Sequence, residues 1–140
     1  MSARRTHILV ELDGVLADGQ HRSKEEILDN VKFLIRGDKL NHVVSRMLKG
    51  FERTGVEIVI VAPNRSKLYE KETKMWLKDV GVSFDYLMMA GDQPFFTRMV
   101  ASEKDELSES VLFAVIGSSN AVLSYGKEHP HKPTLCEIRK

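Results

Sequence analysis

The chain has 140 residues, 42% of them hydrophobic and 29% charged, with a formal net charge of +1 at pH 7. That length supports one hydrophobic core, so a single domain spanning 1–140 is expected. A near-neutral balance excludes a global field that selects nucleic acid or anionic membrane and leaves room only for a local basic groove. The apolar runs are strand-length, far below the ~20 residues of a membrane span, so no membrane partner is expected.

The segment Met1-Ser2-Ala3-Arg4-Arg5-Thr6-His7 leads directly into a strand at Thr6–Leu12. Its basic start is followed by a short run interrupted by Glu11 and Asp13, which is not the pattern of a signal peptide. Lys24 to Arg36 carries Ile27, Leu28, Val31 and Ile35 at helical spacing, with Ser23 as its N-cap. Gly37-Asp38 breaks that pattern, and a second helix follows over Lys39–Arg53 with Leu40, Val43, Val44, Met47, Leu48 and Phe51 on one face. The stretch from Asp18 to Gly55 reads as two helices over a sheet rather than a cap. A second strand covers Val56–Ala62 and a helix Ser66–Val80, ended by Gly81. A third strand at Phe84–Ala90 and a helix at Thr97–Leu107 come next, then a strand at Val111–Gly117, a helix at Asn120–Lys127 and a last strand at Thr134–Ile138.

Ile58-Val59-Ile60-Val61 and Leu112-Phe113-Ala114-Val115-Ile116 are nearly continuous apolar runs, as expected of strands covered on both faces. Alternation of such strands with helices predicts an α/β fold of three layers, Rossmann-like, with a mainly parallel five-stranded sheet. Ligands of such folds lie beyond the carboxyl ends of the strands. The single cysteine, Cys136, allows no internal disulfide and fits a reducing cytoplasm.

The first strand runs into an acid-x-acid-Gly turn: Ile8-Leu9-Val10-Glu11-Leu12-Asp13-Gly14-Val15-Leu16. This resembles the first motif of the haloacid dehalogenase-like phosphotransferases, a strand ending in Asp-x-Asp-Gly. The resemblance spans almost the whole chain. It is nearest to the phosphatase domain of bacteriophage polynucleotide kinases, because Thr97-Arg98 followed five residues later by Lys104 is similar to a Thr-Arg-x5-Lys segment there, as is Thr73-Lys74-Met75-Trp76-Leu77 to the helix after the second motif. A viral origin fits that resemblance.

The resemblance implies a role for each position. Glu11 stands where the family has its aspartate nucleophile, which also ligates Mg²⁺; Asp13 stands at the general acid/base and second metal position; Lys104 stands at the lysine that steadies the transferring phosphoryl group. Glu11 carries one extra methylene, a displacement of about 1 Å where near-attack geometry is sensitive. The hydroxyl of the second motif is replaced by Ala62, with Asn64 and Arg65 following as substitute phosphate contacts. Gly117-Ser118-Ser119-Asn120 stands where the family has an acid pair that completes the metal site. Ser118 and Ser119, ahead of a helix, are either an anion-binding N-terminus or an ordinary capped helix start.

These departures imply weak or absent Mg²⁺ binding and a catalytically degenerate domain with a binding or regulatory role. Its partner would be a protein, a nucleotide or a nucleic-acid end. The alternative is a Mg²⁺-dependent phosphatase acting on 3′-phosphate ends or small phosphomonoesters. Elsewhere, His129-Pro130-His131 reads as an exposed turn before the last strand, Trp76 as core, and Cys136 as a small buried hydrophobe. Phe95 and Phe96 follow a turn-rich loop and either pack beneath it or face a ligand.

Overall fold

The computed structural model describes residues 5–18, 35–91 and 94–139. Seven strands and four α-helices follow one another there: β1 (Arg5–Glu11), β2 (Ala17–Asp18), β3 (Lys39–Leu40), α1 (His42–Arg53), β4 (Glu57–Ser66), α2 (Glu70–Asp79), β5 (Tyr86–Ala90), α3 (Phe95–Asp105), β6 (Ser110–Gly117), α4 (Asn120–Glu128) and β7 (Thr134–Glu137). Five strands form one parallel sheet in the order β5-β4-β1-β6-β7. The expected fold class is therefore present. The short β2 and β3 pair antiparallel as a separate ribbon.

The continuous apolar strands supply both faces of the core. Ile8, Val10, Ile58 and Ile60 point to the side covered by Val44 and Leu48 of α1 and by Trp76 and Leu77 of α2. Leu9, Val59, Val61 and Val115 point to the side covered by Phe95 and Met99 of α3 and Val122 of α4. Residues adjacent in sequence thus serve opposite layers, as the two-residue period of a strand requires. Phe95 joins this core, and Phe96 stacks on Tyr125 with ring centroids 5.6 Å apart.

Three boundaries differ from the sequence expectation by three residues or more. The helix expected from Lys39 begins at His42, because the Asn41 side chain accepts from the amides of Val43 and Val44 at 3.1 and 3.2 Å and caps it there. Lys39 and Leu40 are left to pair with Asp18 and Ala17. The second strand runs four residues past Ala62, through Pro63, Asn64 and Arg65 to Ser66. Pro63 has no amide to give the ladder, and the pairing with β5 skips there, from Ala62↔Met89 to Ser66↔Ala90. The helix expected from Ser66 therefore starts as a single 3-10 turn over Lys67–Tyr69 and becomes α-helical at Glu70. The helix expected over Lys24–Arg36 lies outside the described residues except for its end, where Ile35 and Arg36 are helical.

Cys136 is only partly buried, against the edge of the first core layer. The His129-Pro130-His131 turn is not simply solvated: the His129 side chain folds inward and is 9% exposed.

Candidate functional site

All five sheet strands end on one side, and β1 delivers Glu11 and the turn after it to that edge. Leu12 extends the ladder by donating to the Val61 carbonyl at 2.8 Å. Gly14 then adopts φ +84°, a left-handed conformation that few other residues tolerate, and the chain turns back. The turn exposes the Asp13 side chain to 37%. Glu11, one step earlier, is buried at 4%.

A buried carboxylate must find partners. The Glu11 Oε1 accepts from the backbone amides of Ser118 at 2.9 Å and Ser119 at 3.0 Å, the loop between β6 and α4. These are the amides that the sequence offers as an anion site, and the protein fills it with its own side chain. The extra methylene gives the reach, and the absence of a side chain at Gly117 gives the room: a Cβ there would sit 3.3 Å from Glu11 Oε1 and 3.0 Å from Val122 Cγ1. Negative charge at a helix start is further favoured by the helix dipole. Ser119 separately caps α4 by accepting from the Val122 amide at 3.3 Å.

Asp13 is held by Arg65, whose Nε donates to Asp13 Oδ2 at 3.3 Å while Nη2 donates to Asp13 Oδ1. The same Nη2 donates to Asp38 Oδ2 at 3.2 Å, and Nη1 to the Thr73 hydroxyl at 3.1 Å. Arg65 is 5% exposed and the Asp38 side chain fully buried. The guanidinium therefore sits inside the strand-end crevice as a fixed cation between two carboxylates. It reaches that place because β4 continues beyond Ala62, which the sequence reading ended too early.

A Mg²⁺ ion in this crevice needs oxygens able to turn toward it. Glu11 is committed to two amides and Asp13 to a guanidinium, so the donors as arranged do not fit one. Among the described residues, no group of three or more His, Cys, Asp or Glu side chains converges as a metal site.

Lys104 lies elsewhere. It lines a cavity of about 500 Å³ with His7 near the start of β1 and Ser110 at the start of β6, which is the amino end of the sheet. A helix that follows a parallel strand starts at the carboxyl edge and runs away from it. Arg98, the fourth residue of α3, is therefore at the edge, while Lys104 lies six residues further, about 9 Å along the axis. Arg98 lies beside Gly91 at the end of β5. The sequence reading missed it, although the position of Arg98 in the first turn after a strand is a signal that sequence alone carries.

Asn64 and Arg98 line a second cavity, of about 940 Å³, at the carboxyl ends of β4 and β5, together with Ser66, Lys67, Leu68 and Gly91. Arg65, between Asn64 and Ser66 in sequence, turns to the other side and enters the crevice with Asp13. The predicted site residues thus fall into three places: Glu11, Ser118 and Ser119 with Asp13 and Arg65 in one crevice, Asn64 beside it, and Lys104 at the far end.

At the amino end, a second buried network takes shape. His7 Nδ1 is 2.7 Å from Ser110 Oγ and His7 Nε2 is 3.4 Å from Glu103 Oε1. His129 Nδ1 accepts from the His131 amide at 3.1 Å, which leaves its Nε2 to donate to Glu103 Oε2 at 2.6 Å. Burial pushes the Glu103 carboxyl up, but its hydrogen bonds to His7 and His129 outweigh this and hold it below its ordinary value. The Tyr125 phenol is pushed up, first by burial and then by the nearby Glu103 charge.

Solved structures share this fold. Two chains of the Pnkp1/Rnl/Hen1 RNA repair complex superpose with TM-scores of 0.75 and 0.76 at 16% and 15% identity, over 99% and 96% of this chain. The class C acid phosphatase from Bacillus anthracis with tungstate bound superposes with a TM-score of 0.68 at 12% identity, over 97% of this chain and 67% of its own. The fold is haloacid dehalogenase-like. The chain spans less than half the length of the two repair-complex chains, 47% and 42%. A scan against family models finds no match, and neither does a search of curated proteins.

Proposed function

We propose that this chain is a binding domain on a phosphatase scaffold, with its catalytic acids turned into internal structural contacts. The observation that carries this is the Glu11 carboxylate, buried and hydrogen-bonded to both the Ser118 and Ser119 amides. A nucleophile must present an oxygen to phosphorus within about 3–3.5 Å and in line. Glu11 instead faces into the protein. Asp13 as general acid needs a carboxyl oxygen turned toward the leaving group, and Arg65 engages both of its oxygens. The parts of a catalytic unit act together, so such losses do not leave proportionate activity.

The resemblance to chains of an RNA repair complex supports a nucleic-acid end or a nucleotide as the ligand, and an assembly with other proteins as the setting. No helix among the described residues is long and apolar enough to cross a membrane. A working phosphatase is the second reading, favoured by the 37% exposure of the Asp13 side chain at the strand end.

Phosphate release from a 3′-phosphorylated oligonucleotide in Mg²⁺ separates the two. The expected result is no release above the background of Glu11→Ala. Release that depends on both Glu11 and Asp13 overturns the binding-domain reading, and calorimetric Mg²⁺ binding lost in Asp13→Asn would point the same way.

A further inference from the structure

A stretch of apolar surface beside α1 is left uncovered. Between the His7↔Leu112 and Ile8↔Ala114 pairs, β6 carries one residue more than β1, and that residue is Phe113. An extra residue of this kind re-aims its side chain. Phe113 turns to the α1 side, meets Phe51 edge-on with ring centroids 6.1 Å apart, and stays 49% exposed. Met47, Gly50, Phe51 and Thr54 of α1, with Val56 and Phe113, line a groove of about 510 Å³ there. Val43, one turn before Met47, continues the apolar line at 69% exposure. Gly50 leaves the helix backbone bare in the groove, and a Cβ on it would meet nothing within 4 Å, so no packed neighbour in this chain requires a glycine there.

The charges around the groove are sorted by sign. By the helical repeat, Arg46 and Arg53 lie about 40° and about 60° around α1 from Gly50, and Lys49 about 100°. Glu52, the one acid of α1, lies about 160° away, beyond the buried face. Arg46, Lys49 and Arg53 are exposed and have no ion pair or side-chain hydrogen bond among the described residues. Glu57, beside Val56, is taken up by Arg5, which donates to its two oxygens at 2.7 and 2.9 Å.

We propose that this face docks an acidic amphipathic helix of a protein partner, with the partner's apolar side chains in the groove and its carboxylates against Arg46, Lys49 and Arg53. The face lies on the α1 layer, apart from Glu11 and Asp13, so the inference goes beyond the binding-domain reading and stands or fails separately from it. β6 pairs with a strand on each side and has no ladder edge to offer an extended segment, whereas a helix needs none. From Val43 to Thr54 the face runs about 16 Å, the length of about three turns of a partner helix. The bare backbone at Gly50 lets that helix approach closely. A second copy of this chain, docked α1 against α1 about a two-fold axis, would bring like cations together. A nucleic-acid backbone would meet the cations and leave the apolar lining of the groove unused.

The test is fluorescence anisotropy of the full chain with two labelled synthetic helical peptides. Both carry leucines at helical spacing on one face; one has glutamates at the flanking positions and its twin has lysines. The acidic peptide is expected to bind at least about tenfold more tightly, a preference that shrinks at high salt. Arg46→Glu combined with Arg53→Glu is expected to invert the preference. Lys127→Glu, on α4 at the other face of the sheet, is expected to leave it intact. Gly50→Leu fills the groove at a position where a Cβ meets nothing in this chain and where leucine is the better helix former. It is expected to abolish binding of the acidic peptide while the unfolding midpoint stays at or above that of wild type, which separates docking from folding. Equal binding of the two peptides, binding of neither up to about 1 mM, or binding that survives Gly50→Leu overturns the proposal. Two other occupants would overturn it by signs of their own. Concentration-dependent dimerisation in sedimentation that Gly50→Leu abolishes assigns the face to a second copy. Displacement of the peptide by a short RNA, whose binding survives Gly50→Leu but not the double charge reversal, assigns it to nucleic acid. The binding-domain reading fails by a different result, Mg²⁺-dependent phosphate release that requires Asp13.

Discussion

The two ends of the sheet both bury a carboxylate network, and they neutralise it by different chemistry. At the carboxyl end, Arg65 holds Asp13 and Asp38, and backbone amides hold Glu11. Neither a guanidinium nor an amide changes charge over the accessible pH range. At the amino end, Glu103 is held by the imidazoles of His7 and His129. At one edge acids are held by a guanidinium and by backbone amides, and at the other an acid is held by imidazoles.

The strongest way to break this contrast is Arg65→Ala. It leaves Asp38 buried beside Asp13 without their shared cation, and a loss of about 3–5 kcal/mol is expected in denaturant unfolding. Arg65→Lys restores only part of that, since one ammonium cannot reproduce the fork across Asp13, Asp38 and Thr73. A loss below 1 kcal/mol in Arg65→Ala would mean that the crevice is hydrated and open. Next in size is Glu11→Ala, expected to cost about 1–3 kcal/mol because two amides lose a charged acceptor. Its unfolding midpoint, measured against wild type, checks this; an unchanged or raised midpoint would mean that Glu11 is a strained functional group rather than a structural one.

Smaller still is Ser110→Ala at the other end, where one hydrogen bond to His7 is lost, at about 0.5–1.5 kcal/mol in the same unfolding experiment. The last prediction sharpens the contrast through pH. Glu103 is lowered from its ordinary 4.5, so its stabilising contribution is complete above that value and is lost as pH falls through the lower folded one. Between neutral pH and 4.5 the Glu103 contribution is flat. Stability measured from pH 6 to 3 should therefore decline less steeply in Glu103→Gln than in wild type. Parallel declines would remove Glu103 from the acid response.

Much of the layer structure was legible because it is written in local periods. The apolar runs at Ile58–Val61 and Leu112–Ile116 required strands covered on both faces, and the faces are covered except at Phe113, which is 49% exposed. The acid-x-acid-Gly turn was legible for the same reason, since Gly14 and the end of β1 are fixed within a few residues. Boundaries failed where a single side chain or ring decided them: Asn41 by capping α1 and Pro63 by interrupting the ladder without ending the strand. The second failure mattered more, because it hid how Arg65 enters the crevice. Lys104 was matched by spacing to a distant motif, and spacing says nothing about which end of a helix faces the ligand edge.

By itself the sequence determined the class of fold, the order of its elements and the presence of two acids at the end of the first strand. The partners of those acids were decided only by the tertiary structure. Glu11 meets amides 107 and 108 residues away and Asp13 meets a guanidinium 52 residues away. Periodicity and turn chemistry act over a few residues, where one sequence constrains one backbone. A charge finds its counter-charge only after the sheet has brought the strand ends together, and whether a carboxylate serves as nucleophile or as brace depends on that meeting.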